Sequence, residues 1–298
     1  MSKRVLICGC GYVGLELGRQ LVAAGHTVFG QRRHAAAGPE MRAAGLTPLI
    51  GDLTQPDDLR RLPGAFDWVV NTVSSTRGGA DEYRQVYLNG ARQLIAWLRD
   101  APPTRLVYTS STSVYGQTDG QWVDETAATT PDTETGRLLV ATENEFLAAA
   151  DSPTLQPVVL RVAGIYGPGR GYLFQQFVRG EARLQGTGSR CLNMIHRDDV
   201  AGALSTALER GIPGQVYNVV DDEPVSQFDV LHWFAAQLGR PLPPVATAAE
   251  AAGRKRGLTD KRVSNRRLRT ELGWAPRYPN FRTGYAAEVA AAQNSPAA

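Results

Sequence analysis

Residues 3–14 read Lys3-Arg4-Val5-Leu6-Ile7-Cys8-Gly9-Cys10-Gly11-Tyr12-Val13-Gly14. Lys3 to Cys8 predicts a buried β-strand, and the glycines after it fall in a Gly-x-Gly-x-x-Gly turn opening an amphipathic helix, Tyr12 to Ala24. Gly9 permits the tight turn out of the strand, Gly11 lets main-chain N–H groups approach a pyrophosphate with no Cβ in the way, and Gly14 lets the helix pack close on the strand. The helix start offers unpaired N–H donors and a positive dipole end to phosphates. A second strand, Thr27 to Gly30, comes after Gly25 and completes the context in which this spacing means dinucleotide binding. Gly9, Gly11, Tyr12, Val13 and Gly14 are therefore cofactor-binding candidates.

Which dinucleotide is decided at the end of that second strand. An NAD site usually carries Asp or Glu there for the ribose 2′-hydroxyl, whereas this chain reads Gln31-Arg32-Arg33-His34. Two guanidiniums suit a 2′-phosphate and no carboxylate repels it, so Arg32 and Arg33 point to NADP in preference to NAD. Asp52-Leu53 falls where the third strand ends, at the sheet edge facing the adenine. Asp52 is a candidate for the adenine amino group, with a solvated turn as its competing role.

Outward from this start, short apolar strands alternate with helices. Strands are predicted at Thr47 to Ile50, Trp68 to Val73, Arg105 to Thr109 and Pro157 to Val162. Helices are predicted after Pro56 and from about Asp81 to Leu98. The pattern is that of an α/β, Rossmann-type doubly wound parallel sheet covered on both faces. The expected organisation is a dinucleotide-binding domain over residues 1–165 and a smaller C-terminal substrate-binding lid over most of residues 166–298. The strand near Gln215 to Val219 returns to the sheet. Helices are expected near Leu173 to Gly180, Asp199 to Glu209, Gln227 to Leu238 and Asn265 to Leu272. Pro241 to Pro244 and the Ala-rich run Ala246 to Ala252 read as a flexible loop, and Ala286 to Ala298 as a frayed tail.

The 298 residues suit one large α/β domain with a smaller one attached. A net charge of +3 is too small for a nucleic-acid surface. The clusters Arg254-Lys255-Arg256 and Arg266-Arg267 read as a loop and a helix face. With no apolar run long enough to span a bilayer and a strand at the N-terminus, a cytoplasmic protein is expected. Three cysteines, Cys8, Cys10 and Cys191, have no framework spacing and fit a reducing compartment. Cys10, in the glycine turn, reads as structural. His196 with Asp198 and Asp199 could supply metal ligands, but the absence of a second His or Cys cluster favours a helix start capped by Asp198 or Asp199, and no metal is expected.

Several later motifs complete a resemblance. Ser110-Ser111-Thr112-Ser113-Val114-Tyr115-Gly116 comes after one strand, and Leu160-Arg161 through Tyr166-Gly167-Pro168-Gly169 after the next. Asn193 to Val200 and Tyr217 to Pro224 add to them. Together these resemble the extended short-chain dehydrogenase/reductases, the NAD-dependent epimerase/dehydratase group. The ending, Lys261 to Asn265 with Leu272-Gly273 and Tyr278-Pro279, looks like an atypical bacterial subgroup of them. The resemblance implies a Tyr-x-x-x-Lys pair on the helix after the Ser loop. With Gly136 and Glu143 holding the register, Thr135 stands at the tyrosine position and Leu139 at the lysine position. The family's asparagine falls on Tyr87, so Ser111 alone is kept of the four catalytic positions.

In that family the tyrosine exchanges a proton with the substrate oxygen while hydride moves to or from nicotinamide, and the lysine lowers its pKa. Tyr115, four residues after Ser111, is the foremost substitute, with a purely structural tyrosine as its alternative; Tyr87, Tyr166 and Tyr172 could also face the cleft. Glu125, Asp132 and Glu134 are expected as exposed loop carboxylates. The reading is an NADP(H)-dependent oxidoreductase or epimerase/dehydratase-type enzyme acting on a small carbonyl or sugar-like substrate through Ser111 and Tyr115. Its alternative is a non-catalytic NADP(H)-binding sensor. A homodimer through the helices from Asp81 and Thr135 is an expectation from the family alone.

Overall fold

Strand Arg4–Cys8 sets Val5 and Ile7 on one face and Leu6 and Cys8 on the other, and all four are fully buried. Only a strand covered by helices on both sides can be apolar at every position in this way. A computed structural model, describing residues 1–150, 154–252 and 259–294, places this strand in a seven-stranded sheet. The order is Val216–Val219, Pro157–Val162, Arg105–Ser111, Trp68–Asn71, Arg4–Cys8, Thr27–Arg32, Thr47–Ile50. Every neighbouring pair is parallel.

From Arg4–Cys8 the chain winds outward through Thr27–Arg32 and Thr47–Ile50, then returns to the other side of its first strand as Trp68–Asn71. That reversal opens a crevice at the carboxyl ends of the two central strands, the place where ligands of such sheets bind. The helices Tyr12–Ala23 and Arg197–Arg210 pack together over one face of the sheet. Gly90–Leu98 and Glu134–Ala149 bury Leu94, Leu98 and Phe146 against the other. A separate cluster forms from Tyr166, Phe174, Phe177, Phe234, Phe281 and Tyr285, drawn from the segments before Arg197–Arg210 and after Val216–Val219.

Several sequence expectations are revised. The second strand runs two residues past Gly30, to Arg32, so Gln31 and Arg32 belong to the sheet edge. The helix expected from Asp81 has a π-turn, Arg84–Asn89, between Ala80–Tyr83 and Gly90–Leu98. The loop expected over Ala246 to Ala252 contains a short helix, Ala248–Ala252. It starts at a capping box in which Thr247 Oγ1 accepts from Glu250 N–H and Glu250 accepts from Thr247 N–H.

Of the tail expected over Ala286 to Ala298, the part to Gln293 is instead the end of a helix, Phe281–Gln293, anchored by buried Phe281, Tyr285 and Val289, and 295–298 lie outside the described residues. Their spacing of four residues puts all three on one face, and the surrounding alanines hid that periodicity. Arg254-Lys255-Arg256 lies outside the described residues. Arg267 pairs with Glu271 on a helix face, at 3.0 Å.

Candidate functional site

Two of the three glycines in the turn, Gly9 and Gly14, have a steric reason to lack a side chain. Gly9 sits at φ +71°, and a Cβ there would lie 2.6 Å from the Val73 Cα. On Gly14 a Cβ would come within 2.9 Å of Ile7 Cγ2, so helix and strand touch at that point. At Gly11 the same atom meets nothing closer than Arg32 Nη1 at 3.6 Å. The space over the helix start is therefore open, and one guanidinium edges it. Helix Tyr12–Ala23 has no side-chain cap and no acidic residue in its first turn. Its terminal N–H groups and its dipole are left for an anion, which is what a pyrophosphate cradle requires.

Gln31, unassigned by the sequence reading, braces this cradle. Its Oε1 accepts from Gly9 N–H at 3.0 Å, its Nε2 donates to the Gly51 carbonyl, and its own carbonyl accepts from Cys10 N–H at 2.9 Å. The buried carboxamide thus occupies the strand end where an acidic residue would otherwise meet a ribose. Arg32 donates from Nη1 to the Cys10 carbonyl at 3.1 Å, while Arg33 is exposed. Asp52 accepts from both Thr54 N–H and Thr54 Oγ1 and closes its own turn, and Leu53 is buried. Burial pushes the Cys10 thiol up to about 12 against the lowering effect of Arg32, which makes it an inert packing group.

Beyond the central strands, Arg105–Ser111 ends in a 3₁₀ turn, Thr112–Val114, where Ser111 Oγ accepts from Ser113 N–H at 3.2 Å and lies 2.8 Å from Ser113 Oγ. Beneath this turn runs a buried polar chain. Arg161 pairs with Glu143 at 2.8 Å, and Ser110 Oγ donates to Glu143 at 2.5 Å. Arg161 Nη1 donates to the Tyr115 hydroxyl at 2.9 Å, and that hydroxyl donates to Asn218 Oδ1 at 2.8 Å.

Tyr115 is fully buried, and burial raises its pKa. The substitute role expected of it is corrected here: its hydroxyl is enclosed and consumed by Arg161 and Asn218, and is not presented to a substrate. Glu125 is half-buried rather than an exposed loop carboxylate, accepting from Asn218 N–H at 2.8 Å. Asp132 and Glu134 are exposed. Lys261 is buried against the same turn, its Nζ donating to the Tyr115 carbonyl at 3.0 Å. Burial brings its ammonium down to about 8.

Leu139 is buried in the same apolar core cluster as Val114 and Val162, and Thr135 lies one turn away on the same helix, its hydroxyl 3.4 Å from Thr133 Oγ1. Among the other tyrosines, Tyr172 is exposed and Tyr166 is buried in a stack with Tyr285 at 4.3 Å. The Tyr87 oxygen accepts from Ser75 N–H at 3.1 Å.

The Tyr166–Arg170 turn packs against Tyr12 of the glycine turn and against His196. The Tyr12 hydroxyl donates to the Pro168 carbonyl at 3.1 Å, and the guanidiniums of Arg170 and Arg197 lie 5.0 and 5.1 Å from the centre of its ring. His196, not Asp198 or Asp199, caps helix Arg197–Arg210: its Nδ1 accepts from Asp198 N–H at 3.2 Å, and burial lowers its pKa. Asp199 instead accepts from Arg277 and Tyr278 N–H. Among the described residues no group of three or more His, Cys, Asp or Glu could hold a metal ion, and no helix is long and apolar enough to cross a membrane.

Residues 5–219 match the model of the NAD dependent epimerase/dehydratase family. A 3-diazoavenalumate denitrifying reductase from Streptomyces sp is 30% identical, covering 96% of this chain and 100% of its own length. A 2-alkyl-3-oxoalkanoate reductase from Stenotrophomonas maltophilia is 28% identical over 90% of this chain and 86% of its own. The structure of DesIV, a dTDP-glucose 4,6-dehydratase from Streptomyces venezuelae with NAD bound, shares the fold at a TM-score of 0.82 with 21% identity, covering 96% of each chain.

Proposed function

The chain belongs to the NAD dependent epimerase/dehydratase family, and from that premise we infer that it is an NADP(H)-dependent oxidoreductase acting on a small carbonyl or sugar-like substrate. The observation that carries this reading is the open space over Gly11, edged by Arg32, at the end of a strand, Thr27–Arg32, that itself carries no Asp or Glu. When bound, the dinucleotide supplies or takes hydride. The N–H groups at the start of helix Tyr12–Ala23 hold its pyrophosphate, Arg32 and Arg33 its 2′-phosphate, and Asp52 and Leu53 border its adenine end. Ser111 contributes a hydroxyl that orients the substrate oxygen. The name of one relative, a 2-alkyl-3-oxoalkanoate reductase, supports carbonyl reduction and sets the choice of test substrate.

The test has two stages. NADPH and NADH affinities are measured by quenching of protein fluorescence, with tighter NADPH expected. NADPH oxidation is then monitored with a panel of 3-oxo esters. A second reading is favoured by one observation, the buried Leu139 where the resemblance expects a lysine: a sensor that binds NADP(H) without chemistry. Tight NADPH binding with no turnover across the panel selects the sensor. Failure to bind either dinucleotide removes both readings.

A further inference from the structure

The π-turn Arg84–Asn89 carries Tyr87, one of the phenols the sequence offered as facing the cleft. A π-turn inserts one extra residue into a helix and rotates the succeeding turns, and such insertions recur at functional sites. Here it holds Tyr87 against Tyr83, ring centroids 4.8 Å apart, on a helix that packs along Glu134–Ala149, the helix carrying Thr135 and Leu139. The Tyr87 oxygen meets Ser75 N–H at 3.1 Å. Ser75 is fixed from two sides. Upstream, Thr72 Oγ1 donates to the Cys8 and Gly9 carbonyls at 3.0 and 3.1 Å, and Val73 backs Gly9, so this loop walls the glycine turn. Downstream, Glu82 accepts from the Ser75 hydroxyl and from the N–H groups of Arg77 and Gly78; these bonds, the Ser75 hydroxyl foremost, hold its carboxyl at about 2.

We propose that Tyr87 is the catalytic acid–base residue, its phenol taking the place left by Thr135. This rests on the oxidoreductase reading above. In the reducing direction the substrate carbonyl carbon accepts hydride from the reduced dinucleotide, and the carbonyl oxygen takes the proton as the Tyr87 O–H bond breaks. The products are an alcohol, the oxidised dinucleotide and a phenolate that regains its proton from water. Ser75 N–H, aimed at the phenol oxygen and fixed in advance, stabilises the phenolate as it forms, in the manner of an oxyanion-hole donor.

The test compares wild type with Tyr87→Phe. Tyrosinate absorbance at 295 nm is titrated in both, and their difference isolates Tyr87. With NADP⁺ bound, the midpoint of this difference is expected to fall below that with 2′-phospho-ADP-ribose, which lacks the nicotinamide charge; identical midpoints overturn the proposal. With ethyl 2-methyl-3-oxobutanoate and NADPH, Tyr87→Phe is expected to lose roughly 10²–10⁴ in kcat while its NADPH Kd stays within about twofold. Equal turnover in both proteins also overturns it. If the wild type binds NADPH but leaves the ester unreduced, the carbonyl reading fails for that substrate, and the titration still decides whether the phenol faces the nicotinamide.

Discussion

Arg32 Nη1 reaches across from the end of its strand to the carbonyl of Cys10, 3.1 Å away in the glycine turn. The guanidinium is thereby parked beside the phosphate cradle before any ligand arrives. Replacing Arg32 with alanine should weaken NADPH binding by roughly 10- to 100-fold, the range of one charge-assisted hydrogen bond, and leave NADH nearly unchanged. Fluorescence titration of the two dinucleotides gives the ratio. An unaltered ratio would remove Arg32 from the 2′-phosphate site.

Gly14 is held by contact and not by conformation. In Gly14→Ala the new methyl meets Ile7 Cγ2 at 2.9 Å and Thr72 Oγ1 at 3.0 Å. Overpacking of this kind costs about 1–3 kcal/mol, against about 1 kcal/mol gained from alanine's helix propensity. Thermal melting should show a net loss together with weaker NADPH binding. A raised Tm would mean that Ile7 yields without strain.

The pair Arg161–Glu143 is buried on both sides, at 7% and 2% side-chain exposure. Truncation to Arg161→Met leaves the Glu143 carboxylate enclosed without its cation, a loss of about 3–5 kcal/mol. Adding Glu143→Leu should recover part of it. Urea unfolding of the two single variants and the double variant measures the coupling, and purely additive losses would contradict it.

Asp221 has one oxygen on Glu223 N–H at 3.3 Å, while its Oδ2 has no partner among the described residues. Burial, with Asp222, Glu223 and Asp199 nearby, raises its carboxyl from 3.8 to about 8. The folded state therefore holds this proton more tightly than the unfolded chain does. Its stabilising contribution is complete below pH 4 and is lost as pH rises toward 8. Asp221→Asn should match wild type near pH 4 and exceed its stability at pH 8 by an amount on the order of a few kcal/mol. Parallel Tm curves across that range would show that Asp221 ionises normally.

The central strands and the glycine turn were legible because each rests on local chemistry: two-sided apolar runs, and glycines where backbones touch. Strand Pro157–Val162 and helix Gln227–Leu238 fall on their expected bounds for that reason. The features that escaped the sequence are long-range. Gln31 looks like one polar residue in a basic stretch, and only the fold brings Gly9 and Gly51 to its carboxamide. Tyr115 stands in a motif that suggests chemistry, yet Arg161 and Asn218, distant in sequence, enclose its hydroxyl. The π-turn at Tyr87 has no periodic signature that separates it from an ordinary helix. The Phe281–Gln293 helix was masked by alanines, whose small side chains blur the contrast between faces.

The Tyr166–Arg170 turn lies between the beginning of the chain and its last described helix: Pro168 accepts from Tyr12, and a Cβ on Gly171 would strike the Tyr285 hydroxyl at 2.6 Å. During synthesis on the ribosome the glycine turn emerges long before Tyr285 does. The sheet's first strands can therefore assemble while the Tyr166–Arg170 turn still lacks its backing. An affinity tag or fusion partner placed directly after Gln293 would press on the element that seats this turn. One joined to the N-terminus enters the sheet at Arg4, at the amino end of the first strand and opposite the glycine turn at its carboxyl end, and leaves the cleft undisturbed.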